Sequence, residues 1–225
     1  MEDKFYREGL ANFTEGDFAA AGFDPSFYAN LKEVSSDETT YVAFLTAALT
    51  KAGAQPVAKC TYSYGVTDVK IFVETSSILE GVGVNAYLGA AADIISAAYL
   101  TAAGSILTVE ARHSWYIRAA LGESLFPTPF DTPLSLNEVY TLASPFIVSC
   151  PTSNVKLPVK AFPILTSDPK NGNITAGSTI TLLTPNSIVK AADGSSQIYA
   201  AFITVTGPIF APWVESYFRI VMISC

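Results

Sequence analysis

The residues best suited to chemistry are two glutamates and a histidine between positions 79 and 118. Between Glu80 and Glu110 the chain carries a single charged residue, Asp93. If residues 80–92 and 97–121 are helices, helical spacing places both carboxylates on apolar faces. An antiparallel turn centred on position 95 then brings the two carboxylates opposite each other. Burying unpaired carboxylates is costly, so this pattern predicts a compensating partner, most economically a cation.

The first half of the chain carries a weaker version of the same pattern. Glu38 and Tyr41 are three residues apart, as Glu110 and His113 are. A glutamate followed by a histidine at i+3 is typical of di-iron carboxylate four-helix bundles, which also take single glutamates from two further helices. The sequence therefore predicts a metal site whose ligands are Glu38, Glu80, Glu110 and His113.

Several motifs resemble those of secreted ferritin-like proteins of fungi, a family related to plant desiccation-related proteins and described as stress-response or developmental proteins. The motifs are Phe5 to Leu10, Phe23 to Tyr28, Leu79 to Gly83, Leu107 to His113 and Phe146 to Pro151. The resemblance implies a ferritin-like four-helix bundle, iron as the cofactor, and iron handling or chemistry with dioxygen or peroxide.

The resemblance also identifies departures from the family pattern. Family members carry a first-helix glutamate seven residues before the tyrosine that corresponds to Tyr6, which here would precede Met1. Glu2 lies one helical turn away and is an imperfect substitute. Family members usually have a histidine where this chain has Tyr41. We therefore expect a partly degenerate site in a chain that is shortened at both ends.

Two interpretations of the acidic residues remain open at this stage. The glutamates can bind metal, or they can form a metal-free polar network with Tyr6, Tyr41 and Tyr87. In the second case the chain is a non-enzymatic protective or cell-surface protein, so whether it is an enzyme is undecided. His113 is the only histidine, which disfavours Ser-His-Asp and Cys-His catalysis.

Composition limits the partners and the location of the protein. A net charge of −7 disfavours binding to nucleic acid. Asp93 divides the apolar stretch into pieces too short for a membrane span. We expect a secreted or cell-wall protein from the family resemblance, from the glycosylation sequons at Asn12 and Asn173, and from two cysteines, Cys60 and Cys150, that could pair. The alternative to a disulfide is that Cys60 and Cys150 are reduced thiols. No signal peptide is visible in the sequence. The sequence allows an oligomer but does not predict one.

The predicted fold class is α+β. Residues 1–150 are expected to form a ferritin-like four-helix bundle with a fifth helix, and residues 151–225 a small, incomplete β-sandwich-like domain. The predicted helices span 2–10, 37–51, a third segment beginning after a Thr67 cap, 97–121 and 135–148. An irregular link over 12–34 is expected to hold short helical turns at 17–21 and 26–31. Alternating apolar residues predict strands at 157–162, 179–183 and 198–205, and a closing strand within 213–223.

Overall fold

The structure is a computed structural model that describes residues 1–168, 179–184, 199–204, 208–212 and 218–221. It divides into two compact units, Met1–Lys160 and Ala161–Cys225. The first unit is mainly helical, and the described strands of the second unit form two small sheets. The exact domain boundary, predicted after residue 150, stays a prediction, as does the stacking of the two sheets into a sandwich.

The first unit contains six α-helices. They are α1 (Glu2–Asn12), α2 (Glu15–Ala20), α3 (Pro25–Lys51), α4 (Val69–Ala90), α5 (Ala97–Ala120) and α6 (Leu136–Ala143). Helix α1 packs on α3, and α4 packs on α5 as an antiparallel hairpin. The hairpin turns through a 3₁₀ segment at residues 91–93 and a fully exposed Ile95, as the sequence predicted.

The second long helix begins earlier than the sequence analysis predicted. Helix α3 starts at Pro25, where Asp24 accepts a hydrogen bond from the backbone N–H of Ser26, so the predicted start at 37 was wrong. The short helical turns predicted at 17–21 and 26–31 correspond to α2 and to the beginning of α3, which are longer and more regular than predicted. Proline is compatible with the first turn of a helix because that turn needs no N–H donor there. Similarly, α4 is capped by Asp68 and not by the predicted Thr67.

The C-terminal half of α3 differs from prediction in its burial. Glu38 is buried, but the apolar residues that share its predicted face, Val42, Leu45 and Leu49, are about two-fifths exposed. Among the described residues, therefore, only the half of α3 that precedes Thr39 packs fully into the core.

The end of the helical unit is held by a short β-pairing and a disulfide. Helix α6 begins with a capping box at Ser135 and Glu138, as predicted, but ends at Ala143 and not at 148. A 3₁₀ turn follows, and β2 (Ile147–Ser149) pairs antiparallel with β1 (Thr61–Tyr62). Directly beside this pairing, Cys60 and Cys150 form a disulfide, which confirms that they pair.

The second unit contains five described strands. They are β3 (Thr166–Ser167), β4 (Thr179–Leu183), β5 (Tyr199–Phe202), β6 (Ile209–Pro212) and β7 (Phe218–Val221). One antiparallel sheet has the order β3-β4-β7 and the other pairs β5 with β6. The strand predicted at 157–162 was wrong, whereas β4, β5 and β7 lie within predicted strand segments. The predicted turns at Asn171-Gly172 and Asp193-Gly194 and the sequon at Asn173 lie outside the described residues.

The core of the first unit is an aromatic cluster that fixes the depth of α1. Phe5 stacks on Phe72 with ring centroids 4.7 Å apart, and Tyr6, Phe18 and Phe27 complete its buried ring set. Aromatic pairs of this kind contribute ~0.5–1.5 kcal/mol beyond their buried area. Because α1 has only 11 residues, its stability depends on this packing.

Replacing Gly9 with alanine should destabilise the protein. The added methyl group would overlap the ring of Phe72, which is buried among other rings and cannot move aside. We expect Gly9→Ala to lower the free energy of unfolding by ~1–3 kcal/mol, measured by urea denaturation. The matched control is Gly104→Ala, where the methyl group meets open space and should stabilise α5 by up to ~1 kcal/mol. Equal stabilities of the two variants would contradict the close approach of α1 and α4.

Removing the disulfide should also lower stability. The bridge joins residues separated by 90 positions, so it strongly restricts the unfolded chain. We expect the double variant Cys60→Ser, Cys150→Ser to lose ~3–5 kcal/mol of unfolding free energy. The control is Cys225→Ser, which leaves the bridge intact. Reducing agent should destabilise the wild type and the Cys225→Ser variant but leave the double variant unchanged.

Candidate metal centre

Three helices bring the four predicted ligands together in one buried cluster. Glu38 comes from α3, Glu80 from α4, and Glu110 and His113 from α5, and each offers a ligand atom within 4.8 Å of the others. All four residues are at most 7% exposed. We refer to these four residues as the carboxylate cluster.

Helical periodicity explains why the cluster is buried. Glu80 lies on the same face of α4 as the buried residues Val73, Ser76 and Val84. Glu110 and His113 share a face of α5 with Ile106 and Ile117, which are also buried. Packing these two apolar faces against each other carries the carboxylates inside with them. The predicted antiparallel arrangement of Glu80 and Glu110 is therefore what the structure shows.

Glu80 is the best-connected member of the cluster. The buried Tyr6 hydroxyl donates a hydrogen bond of 2.5 Å to Oε1 of Glu80, while Oε2 lies 3.2 Å from Nδ1 of His113. Burial, together with the negative charge of Glu80, raises the pKa of Tyr6 well above its ordinary value, so this phenol stays a donor. Tyr6 thereby fixes the carboxylate and links it to the aromatic core.

His113 is held from both sides. Its Nδ1 faces the cluster, 3.2 Å from Glu80 and 3.9 Å from Oε1 of Glu38, and its Nε2 lies 3.2 Å from the half-exposed Asp37. Burial disfavours the charged ring, but hydrogen bonds and charge from Glu80 and Asp37 outweigh it and raise the pKa of His113. A carboxylate on the outer nitrogen is the usual device that orients a metal-binding imidazole.

Sequence reasoning missed Asp37 as part of the site. It precedes Glu38, so helical periodicity turns it about 100° away from the apolar seam. Only the approach of α5 places it beside His113, and a single helix carries no signal of that contact.

Two carboxylate oxygens in the cluster lack partners. Oε1 of Glu38 and Oε2 of Glu110 are buried, and neither has a hydrogen-bond partner among the described residues. Leaving a buried carboxyl oxygen without a hydrogen-bond partner costs ~1–3 kcal/mol. A divalent cation would satisfy both atoms, and oxygen-rich sites with an imidazole suit such ions. The donor set therefore fits a bound metal.

The cluster holds its protons strongly when no cation is present. Burial, followed by the charges of Glu2 and Glu80, raises the pKa of Glu38 to about 9. The pKa of Glu110 is raised to about 11, mainly by burial. The charges of Glu2, Glu38 and Glu80 and a hydrogen bond with Glu80 raise it further. Burial raises the pKa values of Tyr41 and Tyr87, followed by the charges of Asp37 and Glu110 for Tyr41 and of Glu110 and Glu2 for Tyr87, so both border the site as phenols. At neutral pH, protons thus occupy positions that a cation could take.

A cleft between α4, α5 and the following loop is separate from the cluster. It has a volume of about 380 Å³ and is lined by residues of α4 and α5 together with the proline-rich loop 125–131, and no member of the carboxylate cluster lines it. The low exposure of its four residues places the cluster in the interior of the unit.

The metal-free protein should become less stable as the pH rises. The folded-state pKa values of Glu38 and Glu110 lie above the ordinary 4.5, so between pH 4.5 and about 9 the folded state binds more protons than the unfolded state. In excess chelator, urea denaturation should show unfolding free energy falling from pH 5.5 to 9. Glu110→Gln should flatten this dependence, and Glu8→Gln, an exposed change on α1, should not. A flat or rising wild-type profile would contradict the assignment.

Comparison with known proteins agrees with this geometry. Residues 1–123 match the model of the ferritin-like domain. Over 180 residues the chain is 27% identical to Protein rds1 of Schizosaccharomyces pombe, a match covering 79% of this chain and 44% of that protein. The chain thus spans less than half the length of this curated relative. Because the family model covers more than half of the chain and includes every residue of the carboxylate cluster, the protein belongs to the ferritin-like domain family.

Proposed function

We propose that this protein binds iron in the carboxylate cluster and acts as a ferritin-like protein associated with stress or development. The observation that carries the proposal is the pair of buried, unpartnered oxygens on Glu38 and Glu110. In this proposal α1, α3, α4 and α5 form the four-helix bundle of the family. Glu38, Glu80, Glu110 and Nδ1 of His113 would hold the metal in a partly degenerate di-iron-type site.

The chain's own residues prepare the site in three ways. Tyr6 fixes the carboxylate of Glu80, and Asp37 fixes the ring of His113. The buried apolar residues on the same helix faces keep water from the cluster, which strengthens electrostatic attraction to a cation. Bound iron would supply redox chemistry with dioxygen or peroxide. Tyr41, which stands where the family usually has histidine, replaces a nitrogen ligand with a phenol.

We also propose an oxidising, extracellular setting, either secreted or in the cell wall. The Cys60–Cys150 disulfide and the exposed sequon residue Asn12 support it. Among the described helices, none combines the length and the apolar character that a membrane crossing requires.

Ferrous iron should bind to the purified protein and stabilise it. Titrated anaerobically, iron at a hundred times its dissociation constant should add ~2.7 kcal/mol to the unfolding free energy. Binding should also release protons, because Glu38 and Glu110 hold theirs at neutral pH. Calorimetry in buffers of different ionisation enthalpy measures both binding and proton release.

Glu110→Ala should abolish this binding, whereas Glu33→Ala, an exposed change on α3, should preserve it. If wild-type protein takes up no iron above trace and its melting temperature does not change, the metal proposal fails. The non-enzymatic protective or cell-surface alternative would then stand.

A further inference from the structure

We propose that the cleft between α4, α5 and the loop 125–131 binds a neutral saccharide of one or two rings. This inference goes beyond the proposed function, because the cleft shares no residue with the carboxylate cluster and its ligand requires no metal. The cleft has a volume of about 380 Å³. Small-molecule sites usually occupy ~300–1,000 Å³, so the space suits a small ligand and not a folded partner.

Small side chains on the two helices create the cleft. Gly81 of α4 and Ala111 and Ser114 of α5 line its helical side, and a Cβ atom added at Gly81 would meet nothing within 4 Å. Protein interiors are normally packed without gaps of this size. The space between the loop and the helices is therefore open to a ligand.

The loop is held at both ends, which fixes the shape of the cleft. At its start, Nε of Arg118 donates a 2.7 Å hydrogen bond to the carbonyl oxygen of Ser124. At its end, the backbone N–H of Leu134 donates a 3.1 Å hydrogen bond to the carbonyl oxygen of Asn85. Prolines between these anchors restrict the backbone further. A site held in this way loses little conformational entropy when a ligand binds.

Three aromatic side chains of the cleft are left in contact with water. Trp115 of α5 and Phe126 and Phe130 of the loop line it, and they are 41%, 80% and 63% exposed. The C–H face of a pyranose ring carries a partial positive charge, which stacks on the negative face of an aromatic ring. These rings therefore offer stacking surfaces to a sugar.

The polar groups of the cleft match the hydroxyl groups of a sugar. Asn85, Ser114 and Asp131 line it, and none of these three side chains forms a hydrogen bond or an ion pair with another described residue. An amide, a hydroxyl and a carboxylate together donate and accept hydrogen bonds, as a polyhydroxylated ligand requires. A purely apolar ligand would remove these groups from water without replacing their hydrogen bonds, which is costly.

The charges of the cleft favour a neutral ligand. The one cation among its lining residues, Arg118, is already paired with Glu123 at 3.0 Å. Asp131 is exposed and adds a negative charge, so an anion would be repelled. A proline-rich peptide also stacks on aromatic rings, but proline has no N–H to donate to a carboxylate. A saccharide satisfies the aromatic and the polar groups together.

The test is a titration of the protein, in excess chelator, with four neutral disaccharides: cellobiose, laminaribiose, maltose and N,N′-diacetylchitobiose. Saturation-transfer NMR detects binding, and tryptophan fluorescence measures affinity in a Trp213→Phe background, which leaves Trp115 as the single tryptophan. Titration to ~10 mM nearly saturates a site whose Kd is ~1 mM. We expect at least one disaccharide to bind and to change the emission of Trp115.

Phe126→Ala and Phe130→Ala should each weaken this binding about tenfold, because each removes a stacking surface. Their exposed side chains pack little, so both variants should melt at the wild-type temperature. The matched control is Phe44→Ala, which removes a partly exposed phenylalanine of α3 outside the cleft and should keep the wild-type affinity. Asn85→Leu keeps a side chain of similar size without its hydrogen bonds and should also weaken binding about tenfold.

Three results would overturn the inference. If none of the four disaccharides binds, the cleft is not a saccharide site. If one binds but Phe126→Ala, Phe130→Ala and Asn85→Leu all keep the wild-type affinity, the sugar binds elsewhere. If a proline-rich decapeptide binds the cleft and the disaccharides do not displace it, the cleft is a peptide site. Each of these results leaves the proposed iron binding intact, and a failure of iron binding leaves the saccharide site intact.

Discussion

The burial of carboxyl groups inside an apolar seam is the constraint on which the candidate site depends. Glu80 is fully buried and Glu110 is 1% exposed, and they face each other between α4 and α5. A helical hairpin of this sequence cannot bury its apolar faces without burying these groups as well. Every other feature of the site, from the Tyr6 hydrogen bond to the high pKa values, follows from this requirement.

The same constraint connects the site to the stability of the fold. Tyr6 belongs to the aromatic core through its edge contact with Phe5 and reaches Glu80 through its hydroxyl. The packing that fixes the depth of α1, including the close approach of Gly9 to Phe72, therefore also fixes the position of the phenol. A shift of α1 would loosen the core and the carboxylate network at the same time. In this unit, stability and site geometry share one set of contacts.

The sequence predicted the centre of the molecule better than its periphery. Glu80, Glu110 and His113 were identifiable because 3.6-residue periodicity is strong in long, nearly uncharged helices. Pro25 was the reason that the start of α3 was predicted too late. In sequence, a proline at the first position of a helix looks the same as a proline that interrupts a helix. The role of Asp37 was invisible, because its contact with His113 joins two helices and no single-helix pattern records it. The sequence left open whether Cys60 and Cys150 form a disulfide or stay reduced. The pairing of β1 with β2, which brings the two cysteines together, is a long-range contact that the sequence pattern does not record.

In the proposed function, the donor set would decide which cations the site favours. Glu38, Glu80 and Glu110 offer oxygens, and His113 is the only histidine in the chain. With Tyr41 in place of a second histidine, the proposed ligand set would be richer in oxygen than that of a symmetrical bundle with two Glu-x-x-His motifs. Oxygen-rich sites shift preference away from softer ions toward harder ones. In the proposed site the same oxygens hold protons at neutral pH, so metal and protons would compete, and affinity would rise with pH until the carboxylates are ionised. Under this proposal, a phenol in place of one nitrogen ligand would change the choice of cation and strengthen the coupling to pH, while the fold that buries the carboxylates stays the same.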